Sequence, residues 1–361
     1  MSVAEQKRLI SLDQFRGYTV LGMLLVNFVG GYKSLPSTLS HHHTYCSYAD
    51  TIMPQFLLAA GFAARLTWKR EPRVRRILIR TLGLMIVGLL LYGIDGRVSS
   101  WAQLQELGFS GFFQQAFQRN YFQTLVHIAL VGLWVWPVLG CSAWIRIAWM
   151  VGSALLFHLV SEYGGYYAWV MKRPGIDGGP LGFLTWTISY TLGTLACDWV
   201  VNNSHRDSIR KLLVGGAVVM LIGYGLSCLN HLTPPNSQSL GNFTLIEPPF
   251  QPPREPVNIW TMSQRAGSAS YITFASGFGL AVLALFVAVC DGFRIRWDFL
   301  DLFGQNALAA YIIHSLADTP FAAYCPKDSP AWYVLIMCSL FIGLISLCLY
   351  YLRTHKLFLR M

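Results

Sequence analysis

The chain has 361 residues, of which 54% are hydrophobic and 12% are charged, and its formal net charge is +10. Soluble domains carry roughly 25% charged residues, so this composition excludes an ordinary soluble domain. The positive charge does not indicate a nucleic-acid-binding protein, because most Lys and Arg residues lie in short segments between apolar stretches. The sequence therefore predicts an all-α polytopic membrane protein that lies in a lipid bilayer and binds no nucleic acid.

Ten apolar segments are long enough to be predicted as membrane-spanning helices. They lie at residues 18–32, 50–66, 77–94, 122–139, 145–160, 182–200, 212–230, 268–290, 302–317 and 331–351. With the N-terminus assigned to the cytoplasm, the cytoplasmic loops hold most of the 27 Lys and Arg residues, as the positive-inside rule expects. We therefore predict about ten transmembrane helices, both termini in the cytoplasm, and a single domain over residues 1–361.

Two segments outside these spans have a distinct character. Residues 98–119 are too polar to span a bilayer, but their aromatic and aliphatic residues favour a helix lying on the outer membrane surface. Residues 231–267 are rich in proline, which disfavours regular structure and predicts a long, semi-rigid outer loop.

Polar residues cluster at the first two predicted spans. Asn27 lies within the first span, Asp50 opens the second, and the loop between them contains His41, His42 and His43. Polar groups at membrane depth are costly to bury, and imidazoles exchange protons near neutral pH, so this region is the first candidate for chemistry. Consecutive histidines cannot all face one ion, so no metal site is predicted. The alternatives are a simple helix cap for Asp50 and a solvated histidine loop.

A basic cluster follows the second span, in the stretch RLTWKREPRVRRILIR over residues 65–80. Such a cluster is typical of a topology determinant on the cytoplasmic side. Arginine side chains also match phosphate oxygens, so the same cluster is a candidate phosphate site. Its candidate residues are Arg73, Arg75 and Arg76, together with Arg16 at the mouth of the first span.

The opening stretch RLISLDQFRGYTVLGMLLVN resembles the start of the transmembrane heparan-α-glucosaminide N-acetyltransferase family and its bacterial relatives. In that family a loop histidine is followed by an aspartate that opens the second span, which is similar to the histidines and YADTIMPQFLLAAGF here. Weaker similarities follow in the same order, in FQTLVHIAL, IDGGPLGFLTWTISYTLGTLACDW, NIWTMSQRAGSASY and LDLFGQNALAAYI. The resemblance therefore touches most of the chain.

The resemblance implies a membrane acyltransferase that uses cytoplasmic acetyl-CoA and acetylates an acceptor on the opposite side. The acceptor would be a sugar or amino sugar. The protein would lie in a bacterial inner membrane, and a homodimer is a candidate oligomeric state. The phosphates of acetyl-CoA would meet the basic residues named above. Asn306, a polar residue in the ninth predicted span, is a further candidate on the donor side.

In the resembled family the loop histidine is the catalytic residue. The segment here between the histidines and Asp50, TYCSYA, is shorter than the family's and lacks its tryptophan and glycine, so all three histidines remain candidates. We favour His42, because Tyr45 follows three residues later, where the family has its tryptophan. Asp50 would orient the imidazole, and Asn27 would donate a hydrogen bond to the thioester carbonyl.

Two other functions are compatible with the sequence. A transporter could use polar residues within the spans as a substrate or proton pathway, namely Asn27, Asp50, His127 and Asn306. The chain shows no paired, broken helices at matching positions in two halves, which weakens this hypothesis. A non-catalytic membrane scaffold is the third hypothesis.

Overall fold

The protein is described by a computed structural model that covers residues 9–70, 74–93, 100–116, 121–172, 177–232 and 257–359. Within these ranges the chain forms helices and turns, with no β-strand. The helices are α1 Ile10–Val29, α2 Ile52–Arg70, α3 Val74–Gly88, α4 Trp101–Ala116, α5 Thr124–Val135, α6 Ala143–Tyr163, α7 Tyr166–Lys172, α8 Phe183–Asn202, α9 His205–Cys228, α10 Ala269–Phe286, α11 Asp298–Gln305, α12 Ala307–Ala323 and α13 Ala331–Thr354. The predicted all-α class is confirmed.

Several of these helices have the length and composition of membrane spans. Four helices in the described part of the chain are long and apolar enough to cross a bilayer: α6, α9, α13, and α10 with its π-helical extension to Gly292. Shorter apolar helices lie at Ile77–Tyr92 and Thr124–Val138. The helices therefore indicate an integral membrane protein, while the count of ten spans and the side on which each terminus lies stay predictions.

The ninth predicted span, 302–317, is not one helix. Asn306 has non-helical backbone angles of φ −119° and ψ 32°, and it separates α11 from α12. Its side-chain amide donates to the carbonyl of Leu302 over 3.2 Å, which satisfies one carbonyl at the end of α11. The short α11 packs against α1, where Gln14 Nε2 donates to Asp301 Oδ1 over 3.0 Å. The first predicted span also begins earlier than expected, at Ile10.

The helices α2 and α8 cross closely in the core. A Cβ added at Gly61 would lie 1.9 Å from the carbonyl oxygen of Tyr190, and one added at Gly193 would lie 2.0 Å from that of Leu58. Only glycine allows the two backbones to approach this closely, as in other tightly packed membrane helices. This crossing fixes α2, and Asp50 lies in the 3₁₀ turn Ala49–Thr51 that directly precedes it.

The two predicted non-spanning segments are described in part. A helix, α4, lies within predicted segment 98–119, with a break at Gly108, where φ is +54°. Its position at the membrane surface stays a prediction. Most of the predicted proline-rich loop, residues 233–256, lies outside the described residues. The end of that loop returns to the core, where the backbone N–H of Asp177 donates to the carbonyl of Gln264 over 3.1 Å.

Candidate active site

The loop before α2 brings an imidazole and a carboxylate together. His41 Nδ1 lies 2.9 Å from Asp50 Oδ1. The Asp50 side chain is fully buried, whereas 34% of the His41 side chain is exposed. Because an ionised carboxylate only accepts hydrogen bonds, His41 Nδ1 carries the proton and Nε2 of the neutral ring keeps its lone pair. This is the arrangement in which a carboxylate fixes the tautomer of a general base.

The second carboxylate oxygen of Asp50 takes part in a helix cap just before α2. The backbone N–H of Ser47 donates to Asp50 Oδ2 over 2.9 Å, and Ser47 Oγ accepts from the backbone N–H of Asp50 over 3.3 Å. This reciprocal pair is a capping box, here with the spacing Ser-x-x-Asp. Asp50 can therefore both cap the helix and bind the His41 imidazole, because each role uses a different carboxylate oxygen.

The charge of Asp50 also sets the protonation of His41. Burial acts to lower the pKa of His41, but the hydrogen bond to Asp50 and the negative charge of Asp50 outweigh it. The charge of Asp177 acts in the same direction. The pKa of His41 is therefore raised above its usual value of 6.5. A base with such a pKa is well matched to proton transfer near neutral pH.

The other two histidines occupy different surroundings. His42 Nε2 lies 2.8 Å from the carbonyl oxygen of Ser37, and the His42 ring stacks on Tyr45 with centroids 4.1 Å apart. Because the carbonyl accepts, His42 Nε2 carries a proton. The His42 contact with Asp50 is made by its backbone N–H, over 3.3 Å. His43 is half-buried. The sequence favoured His42, whereas the ring that reaches Asp50 is that of His41.

A large cavity enters the protein beside the first turns of α1. Its volume is about 670 Å³, which is within the range of roughly 300–1,000 Å³ for small-molecule sites. Its walls come from α1, α2, α3, α5, α12, the last residue of α11 and the C-terminal tail. The charged and polar residues that line it are Asp13, Arg16, Thr67, Arg80, Thr124, Gln305 and Tyr311. The cavity thus combines apolar walls with a few basic and hydroxyl groups.

The cavity runs along α2 toward the His41–Asp50 pair. Thr67 and Phe56 both line it, and they are about 16 Å apart along the helix axis at 1.5 Å per residue. Asp50 lies about 9 Å beyond Phe56 on the same scale. The basic residues are at the opposite end, because Arg16 is near the start of α1 and Arg80 is in the first half of α3. Neither His41 nor Asp50 is among the lining residues, so the pair lies beyond Phe56, toward the N-terminal end of α2.

Residues 8–229 match the family described as Heparan-alpha-glucosaminide N-acetyltransferase, catalytic. The match covers more than half of the chain and includes the histidine loop, Asp50, Arg16 and Arg80. The chain belongs to this family. Comparison with curated proteins gives no match. Membership of the N-acetyltransferase family implies acetyltransferase activity, and the apolar helices indicate that this acetyltransferase is an integral membrane protein.

The basic residues predicted for the acetyl donor have different positions. Arg16 lines the cavity. Arg75 is exposed on α3 and is not among the lining residues. Arg73 and the side chain of Arg76 lie outside the described residues. Arg80, at the end of the same basic stretch, lines the cavity instead. Its place in the run of arginines was visible in the sequence, but the face of α3 that it occupies was not.

The two asparagines predicted for the site have local partners. Asn27 is exposed on α1, and its Nδ2 lies 3.2 Å from His314 Nε2. Asn306 is buried and donates to Leu302, and it is not among the cavity-lining residues. His314 and Tyr311 were not among the predicted site residues, although both are polar residues within the ninth predicted span. Intramembrane polar residues are functional candidates by default, so the signal was present.

Proposed function

We propose that this protein takes the acetyl group of acetyl-CoA from the cytoplasmic side and transfers it to a sugar or amino sugar on the outer side of a bacterial inner membrane. One observation carries the proposal: the His41–Asp50 pair directly precedes α2, the helix that lines a cavity containing Arg16 and Arg80. A long donor with an anionic head and a reactive thioester tip needs this arrangement.

The residues of the cavity fit the donor. Arg16 and Arg80 supply guanidinium groups for the phosphates of CoA, and Thr67 and Gln305 supply neutral hydrogen-bonding groups nearby. The apolar walls between α2, α3 and α5 suit the narrow acyl-carrying arm. With the basic end placed on the cytoplasmic side by the positive-inside rule, the arm would point toward the outer side of the membrane.

The chemistry follows from the orientation of His41. Nε2 takes a proton from the acceptor amine or hydroxyl, whose nitrogen or oxygen attacks the thioester carbonyl carbon. The new C–N or C–O bond forms, the C–S bond breaks, and its electron pair leaves on the sulfur of CoA. The imidazolium is stabilised by Asp50, and its proton returns to that sulfur or to solvent. His41 is therefore the proposed general base, and Asp50 its positioning residue.

The decisive test uses purified protein in liposomes, sorted by orientation. Acetyl-CoA labelled in the acetyl group is added on one side, with glucosamine as the probe acceptor on the other. We expect labelled N-acetylglucosamine only when acetyl-CoA faces the Arg16 end. Labelled acetate without acceptor would report the donor half-reaction alone. Neither product from either orientation would overturn the proposed function.

The turnover should depend on pH through His41. Only the neutral ring accepts a proton, so turnover should rise with pH, with a midpoint above 6.5 because Asp50 raises the pKa of His41. In Asp50→Asn this effect is lost while burial continues to lower the pKa of His41. The midpoint should therefore fall below that of the parent, together with a lower plateau. A pH profile of kcat measures both, and an unchanged midpoint in Asp50→Asn would contradict the pairing.

A further inference from the structure

The inner end of the cavity contains a cluster of hydroxyl groups. Tyr311 lines the cavity one turn beyond the start of α12, and Thr124 lines it at the first residue of α5. Tyr92, in the π-helical turn Leu89–Gly93 that follows α3, donates its hydroxyl proton to the hydroxyl oxygen of Tyr311. A hydrogen-bonded tyrosine pair and the Thr124 hydroxyl therefore lie at this end of the cavity.

The hydroxyl cluster lies at the end of the cavity remote from Arg80. Tyr92 is 12 residues beyond Arg80 in the apolar helix Ile77–Tyr92, a separation of about 18 Å at 1.5 Å per residue. Arg80 and Tyr311 both line the cavity, so the basic residues and the hydroxyl cluster lie toward its opposite ends.

We propose that the Tyr311 hydroxyl is the hydrogen-bond donor to the thioester carbonyl oxygen of acetyl-CoA, with Tyr92 as its positioning residue. This role rests on the proposed function. As the acceptor attacks the carbonyl carbon, the C=O electron pair moves onto the oxygen, which needs a donor until the C–S bond breaks. Because Tyr92 donates to the Tyr311 oxygen, the proton of Tyr311 is polarised and directed to another acceptor.

Asn27, which was predicted for this role, and Asn306, which was predicted on the donor side, are both engaged elsewhere. Asn27 Nδ2 contacts His314, and Asn306 Nδ2 donates to the carbonyl of Leu302. Neither residue lines the cavity, whereas Tyr311 does. A phenol in a cavity partly shielded from bulk water is also a stronger donor toward a developing oxyanion than it would be in water.

Tyr311→Phe tests this role, because it removes one oxygen and keeps the ring. We expect kcat to fall about 10²–10³-fold, the effect of losing one oxyanion donor, with the Kd for acetyl-CoA within about twofold of the parent. Tyr92→Phe should lower kcat less, since Tyr311 keeps its proton. Tyr18→Phe is the matched control, because Tyr18 and Tyr48 form another hydroxyl pair, 3.0 Å apart, at residues that do not line the cavity. It should turn over like the parent.

A spectroscopic readout separates a direct hydrogen bond from a structural effect. Isotope-edited infrared spectra of bound acetyl-CoA, labelled with ¹³C at the thioester carbonyl, should show a lowered carbonyl frequency in the parent and in Tyr18→Phe. Tyr311→Phe should lose that shift. If Tyr311→Phe keeps both the shift and parent-like kcat while His41→Ala is inactive, the role of Tyr311 is overturned and the proposed function stands. If the parent itself transfers no acetyl group, both are overturned.

Discussion

His41→Ala is expected to lower acetyl transfer about 10²–10⁴-fold, the usual cost of removing a general base. The reason is geometric: His41 Nδ1 donates to the buried Asp50 carboxylate, which leaves Nε2 as the proton acceptor. The fold should survive, because His41 is partly exposed and Asp50 keeps its capping box with Ser47. Turnover and melting temperature in detergent, measured on the same preparation, separate the two effects.

The adjacent histidine is the matched control. His42→Ala keeps the backbone N–H through which His42 contacts Asp50, and it removes only the ring contacts with Ser37 and Tyr45. The turnover of His42→Ala should stay within a few-fold of the parent. Its melting temperature should shift from that of the parent by about as much as the melting temperature of His41→Ala does. If His42→Ala loses activity and His41→Ala does not, the general base is His42, and the hydrogen bond between His41 and Asp50 does not contribute to catalysis.

The residue types of the site could be predicted from the sequence, but the contacts among these residues could not. A histidine, an aspartate and an arginine cluster were all identified from residue type, since buried polar groups stand out in an apolar chain. Three consecutive histidines differ only in backbone direction, which residue type does not encode. The turn from Ser37 to Tyr45 decides that the His41 ring contacts Asp50, whereas the His42 ring contacts Ser37 and Tyr45. The capping box was readable as Ser-x-x-Asp, and it fixes where α2 begins.

The basic stretch 65–80 illustrates a second limit. The residue types indicated one basic cluster, but in the structure its arginines lie in different environments. Arg65 Nε donates to Asp198 Oδ1 over 3.1 Å on α8, whereas Arg80 lines the cavity from α3. Which face a residue occupies depends on helix rotation, and hydrophobic patterning is weak in helices that are apolar on most sides. The break at Asn306 was missed for a similar reason, since its flanks are apolar.

The second large effect concerns the donor. The double variant Arg16→Ala/Arg80→Ala should weaken acetyl-CoA binding about 10²–10⁴-fold, since each lost hydrogen bond to a charged group costs roughly 1.5–3 kcal/mol and each 1.4 kcal/mol is tenfold in Kd. Each single variant should lose about tenfold or more. Both residues line the cavity, and CoA offers several phosphates to them. Calorimetry with acetyl-CoA measures the change directly.

Arg75→Ala is the control for that loss, because Arg75 is exposed on the same helix as Arg80 and does not line the cavity. Removing its charge tests whether acetyl-CoA binds through the overall positive potential of the protein or through direct contacts with arginines. Salt screens the overall potential more strongly than it screens direct contacts. Arg75→Ala should bind within about twofold of the parent at 0.15 M salt, where the Debye length is about 8 Å. Parent-like affinity in the double variant would place the donor outside this cavity, because no other arginine lines it among the described residues.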